Sequence, residues 1–180
     1  YTRNDILSAS GKVLMEADTL IELKTTDVDG KISFIADLPI DGTYYVKELY
    51  APDGFVTTGE EKEFVFEYQG DKEAEVSYEF VFEDEPTTVE LSKTDLTTGE
   101  ELPGARLQLT DENGAVVEEW TSTKEPHIIK ELVVGKSYTL TETKPADGYA
   151  TAESITFTVE NTVEIQKQIM EDDVTKVETV

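Results

Sequence analysis

The chain has 180 residues, with 40 Asp and Glu against 15 Lys and Arg, a formal charge of -25, and no cysteine. Such a field repels phosphate backbones and anionic lipid surfaces, so nucleic acid and membrane surfaces are excluded as partners; its plain physical use is solubility and low self-association on an exposed surface. Without cysteine there are no disulfides, thiol nucleophiles or cysteine-ligated metals, and no apolar run is long enough to span a bilayer.

Short runs with period-two alternation dominate, and they are separated by turn residues. In chain order, turn signals stand at Ser10-Gly11 and at Asp27-Val28-Asp29-Gly30, followed by the apolar-alternating Tyr44-Tyr45-Val46-Lys47-Glu48. Strands are then predicted at 63–67 and 76–82, around turns at Asp53-Gly54 and Gln69-Gly70-Asp71. After Glu85-Pro86-Thr87, where proline breaks the alternation, strands are predicted at 89–91, 107–109, 138–142 and 154–159. Thr98-Gly99, Glu112-Asn113-Gly114 and Asp147-Gly148 supply the turns between them. No segment keeps a helical apolar period over three turns, so the class is all-β and each unit is a β-sandwich.

The chain also repeats itself. Leu38 to Phe55 recurs as Leu132 to Tyr149, with Tyr-x-x-x-Glu and Asp-Gly-aromatic in step, and Phe82-Glu83-Asp84 recurs as Met170-Glu171-Asp172. A period of about 90 residues is the size of one small domain rather than of a solenoid unit. Two domains are therefore expected, 1–86 and 87–180. Aligning Tyr1-Thr2-Arg3 with the residues after Leu109 places the opening strand of the first domain before residue 1. Val177-Glu178 matches Val89-Glu90, so 175–180 reads as the start of a following domain and the chain as a piece of a longer one.

Strand parity selects three ionisable residues in the second repeat. Val89 and Leu91 share a face with Lys93, Tyr138 and Leu140 share one with Glu142, and Met170 shares one with Asp172. In the first repeat Glu48 and Asp84 hold the corresponding carboxylates, with no lysine to match. Inward Lys, Glu and Asp are costly unless they pair, neutralise or react. Asp173 has the opposite parity and Asn161 lies in a turn. His127 is a lone histidine after Pro126, read as a loop residue, and Trp120 reads as a half-buried strand residue. Neither makes a metal or catalytic set; Asp27-Val28-Asp29-Gly30 lacks the distal Glu of a calcium loop, and no cofactor or metal is implied.

At these residues the chain resembles the collagen-adhesin B-type, or SpaA-type, prealbumin-like domains of Gram-positive surface proteins and pilins. The resemblance runs through Val89-Glu90-Leu91-Ser92-Lys93-Thr94-Asp95, Leu102-Pro103-Gly104-Ala105, Tyr138-Thr139-Leu140-Thr141-Glu142-Thr143 with Pro145 and Asp147-Gly148-Tyr149, and Met170-Glu171-Asp172. It implies two tandem Greek-key, prealbumin-like and immunoglobulin-like β-sandwich domains. It also implies an intramolecular isopeptide bond from Lys93 to Asp172, assisted by Glu142, formed once per domain and not by turnover on an outside substrate. The first domain, with Glu48 and Asp84 alone, is expected to form none as it stands and to show an exposed or improvised sheet edge. The implied setting is a stalk or pilin segment of an extracellular, cell-wall-anchored protein whose anchor lies outside this segment. Its partners would be the neighbouring domains of the parent protein; the alternative is an adhesin module gripping a host protein or glycan.

Overall fold

The computed structural model describes residues 1–70 and 76–174, and all regular structure among them is β. Two compact units form, one from residues 1–49 with 59–82 and the other from 50–58 with 83–180. The expected strand-like tail at 175–180 lies outside the described residues, as does Asp71 of the turn after Gln69.

The second unit is the more complete. Its strands are β7 (Thr88–Asp95), β8 (Arg106–Asp111), β9 (Val116–Thr121), β10 (His127–Lys130), β11 (Ser137–Lys144), β12 (Ile155–Thr158) and β13 (Gln166–Asp172). One sheet has the order β10-β7-β13 and the other β12-β11-β8-β9. Alternation explains the layers: Val89, Leu91, Ile129 and Met170 from the first sheet meet Leu107, Leu109, Leu140 and Phe157 from the second in one buried cluster. His127 is a strand residue of β10, not a loop residue; it stacks on half-buried Trp120 at 4.2 Å between centroids and bonds Glu118 Oε1 at 2.8 Å. Two flanking strands, β4 (Phe55–Val56) and β6 (Glu85–Pro86), pair with each other in this unit. That pairing groups residues 50–58 with the second unit although they lie within the first repeat.

The first unit holds β1 (Ile6–Leu7), β2 (Val13–Met15), β3 (Thr43–Lys47) and β5 (Glu61–Val65). Its opening hairpin copies that of the second unit: Ile6 faces Met15 and Leu7 faces Val13 with a register shift, as Leu109 faces Glu118 and Thr110 faces Val116. The turns agree too, Ser8 N bonding Lys12 O as Asp111 N bonds Ala115 O. Tyr1 therefore corresponds to Gly104, not to the residue after Leu109. The alignment of these three residues slipped, whereas Ser10-Gly11 against Asn113-Gly114 fixes it.

Residues 76–82 form no strand, contrary to expectation. Their counterpart β13 has β7 as its only ladder partner, and the described first repeat contains no counterpart of β7. Residues 33–36, which match β10, lie outside any ladder for the same reason. Period two persists without the ladder, since Tyr78 and Phe80 both pack on Phe64, at 4.7 and 5.5 Å between centroids. Part of the unladdered backbone is met by a side chain: Glu22 Oε2 accepts from Ile35 N and Ala36 N at 3.0 Å each.

Gly54 shows how closely the second unit packs. Its φ is +88°, and a Cβ there would lie 2.7 Å from Glu131 O. Gly54→Ala should destabilise the chain by at least about 1–3 kcal/mol in denaturant titration, through both strain and overlap; a change below about 0.5 kcal/mol would contradict this packing.

Candidate functional site

Lys93, Glu142 and Asp172 converge between the two sheets. β7 and β13 run parallel with Met170 opposite Lys93, so Asp172 sits two positions further along on the same inward face. Glu142 enters from the facing sheet, on β11 opposite Leu107 of β8. Relative exposures are 1% for Lys93, 4% for Glu142 and 1% for Asp172. Lys93 Nζ is in contact with Asp172 Oδ1 and lies 3.5 Å from Glu142 Oε1.

The contacts are at ion-pair distance, and Lys93 Nζ, Glu142 Oε1 and both Asp172 carboxylate oxygens have no hydrogen-bond partner among the described residues. Glu142 is oriented from its other oxygen, which accepts from Ala152 N at 2.7 Å. Burial pushes the Glu142 carboxyl above the ordinary glutamate value of 4.5; the Ala152 amide and the Lys93 charge oppose that, and neighbouring Asp172 adds to it. The surrounding backbone is tied to the lysine as well: Leu102 N bonds Lys93 O at 2.6 Å and Glu101 Oε2 accepts from Lys93 N at 3.2 Å.

Chemically, the arrangement sets an amine against a carboxyl in a dry site, with a second carboxyl that favours its protonated form. Such a site offers two charges little solvation beyond their mutual contact. No group of three or more His, Cys, Asp or Glu suited to a metal occurs among the described residues.

Among the described residues, the remaining candidates form no ion pair with Lys93 and no hydrogen bond with its amine or the Asp172 carboxylate. Asp173 and Asn161 are exposed. Glu48 is half-buried just past β3 in the first unit. Asp84 precedes β6 in the second, with its Oδ1 buried and without a hydrogen-bond partner among the described residues. Sequence reasoning missed the Ala152 amide, which as a backbone donor leaves no mark in residue type. It also missed the Tyr149 hydroxyl, which donates to Asp95 Oδ2 at 2.5 Å. The signal for Tyr149 was available, because the repeat places Phe55 at the same position.

A two-sheet sandwich with Lys, Glu and Asp buried between its layers is thus present in the second unit. The family model of the SpaA prealbumin-like fold domain matches residues 5–79 and again residues 87–173, and the chain belongs to that family. Among solved structures, the TIE protein of Bacillus anthracis is 28% identical with a TM-score of 0.54, over 83% of this chain and 28% of that one. The present chain therefore spans less than a third of the length of that relative. The major pilin subunit BcpA of Bacillus cereus is 24% identical at a TM-score of 0.42, over 50% of this chain and 31% of that one. A mutant of the shaft pilin SpaA from Lactobacillus rhamnosus GG is 14% identical at 0.43, over 93% and 84%. No curated protein matches the chain.

The shifted carboxyl gives a direct check. A ¹³C-detected titration of Glu142 should show a midpoint above 4.5. Because the folded value is raised, the stability contributed by this group is complete below the unfolded value and is lost as pH rises through the folded one. A midpoint at or below 4.5 would remove the burial argument.

Proposed function

We propose that this chain is a structural segment, a stalk or pilin piece of a Gram-positive surface protein, locked by a self-catalysed isopeptide bond between Lys93 and Asp172. The observation that carries the reading is the burial of these two side chains in mutual contact, with Glu142 Oε1 3.5 Å from the amine. The domains are taken as 1–86 and 87–180. The setting is extracellular, with the cell-wall anchor and the neighbouring domains supplied by the rest of the parent protein.

The bond forms when neutral Lys93 Nζ attacks Asp172 Cγ in its protonated carboxyl. Glu142 donates a hydrogen bond to the developing tetrahedral oxygen, passes a proton to the departing hydroxyl, and recovers one from the amine nitrogen. A C–N bond forms, a C–O bond breaks, and one water leaves. Folding holds the two groups together, and effective molarities on the order of 10⁵ M or more are available to such fixed pairs. The site reacts once, so this is self-modification.

The bridge closes a loop of about 80 residues, which by the chain-entropy relation for cross-links adds about 4–5 kcal/mol of stability. Lys93 and Asp172 lie on adjacent parallel strands near the two ends of the second unit's sequence. Tension along the chain would then pass through a covalent link instead of peeling β13 from β7. A stalk needs that property.

Intact mass is the test. The folded wild-type chain should weigh one water less than its sequence, whereas Glu142→Ala and Asp172→Ala should both fold at full mass. Both variants should melt at lower temperature and yield to protease sooner, by an amount on the order of the loop-closure term. Full mass in fresh, folded wild-type protein sinks the reading; water loss in Asp172→Ala moves the acceptor to Asp173 or Asn161.

A further inference from the structure

The loop of residues 145–152 touches all three strands that carry the buried trio. From Tyr149 the hydroxyl reaches Asp95, which ends β7 two residues after Lys93, at 2.5 Å. From Ala150 the amide reaches Asp173 O at 3.1 Å, directly after Asp172, and Tyr149 forms an antiparallel bridge with Val174 beside it. From Ala152 the amide reaches Glu142 Oε2 at 2.7 Å. The loop's inner side is seated as well, since Ala146 packs with Leu102 and Ala105, and Leu102 N bonds Lys93 O. Such a loop closes only when β7, β11 and β13 are already in register.

The geometry points to this loop as a clasp for the cross-linking site, with Tyr149 and Asp95 as its positioning pair. Their hydrogen bond holds the loop down on β7, and the seated loop presents the Ala152 amide that turns Glu142 Oε1 toward Lys93. The inference rests on reading the trio as an isopeptide site. It adds an order of events: the bond forms after the loop has closed, so strands out of register are not locked together.

The first repeat is a built-in comparison. Phe55 stands where Tyr149 does, after the same Asp-Gly, and its backbone still pairs, with Pro86. The hydroxyl is therefore not required for the path of the loop.

The test is Tyr149→Phe in the full chain, made by cell-free synthesis so that water loss is timed from synthesis by intact mass. It should react at least about tenfold more slowly than wild type, the factor that a hydrogen bond to a charged group is worth, and reach the same final mass. Amide exchange supplies a second readout: Ala152 N–H should exchange faster, while the amides shared by β8 and β11 keep their protection. An unchanged rate with unchanged Ala152 protection overturns the clasp. So does a general rise in exchange across β8 and β11, which would make Tyr149 merely structural. If wild type itself loses no water, the isopeptide reading falls, and the Ala152 exchange in the two chains still decides whether the loop is a clasp.

Discussion

One buried amine organises the second unit. Lys93 sits between two sheets at 1% exposure, against carboxyls from β13 and β11. Removing an ammonium and a carboxylate from water costs several kcal/mol for each ion, and well-packed apolar residues in their place are often as stable or more so. Stability alone would not retain such a trio. Among the described residues, Lys93 Nζ, Glu142 Oε1 and both Asp172 carboxylate oxygens have no hydrogen-bond partner. Under the proposed reading the pair is a set of reactants, which needs the nitrogen near the carboxyl carbon rather than a full set of hydrogen bonds.

The same constraint explains which parts of the fold are fixed most firmly. The parallel register of β7 with β13 decides whether Asp172 lies within the reach of Lys93, and a slip of one residue would turn it to solvent. The facing sheet decides where Glu142 stands. Between them the 145–152 loop and the Leu102-Pro103-Gly104-Ala105 turn bind the backbone at the ends of these strands. The charge of -25 keeps copies of the chain repelling one another in solution.

Much of this was legible in the sequence, because strand side chains alternate strictly. Val89, Leu91 and Lys93 had to share a face, and so did Tyr138, Leu140 and Glu142, so the inward placement of the trio followed from parity alone. Where parity failed, the cause was a missing partner. Residues 76–82 alternate as well as 166–172 do, but a strand is defined by its neighbour, and the counterpart of β7 is not among the described residues of the first repeat. His127 was misplaced because proline before it suggested a loop, whereas β7 recruits it into a ladder opposite Leu91. The Glu142–Ala152 bond was invisible because its donor is backbone. The correspondence of the first hairpin was present in Ser10-Gly11 and lost by trusting three residues at the end of the chain.

The central claim is that a covalent bond joins two particular side chains, and a peptide map reads this directly. Tryptic digestion of folded protein followed by fragmentation should yield one branched species. In it, a peptide uncut at Lys93 is joined through that side chain to the peptide Gln168–Lys176 at Asp172, with one water missing. Recovery of separate linear peptides, with cleavage after Lys93 and an unmodified Gln168–Lys176, would contradict the account.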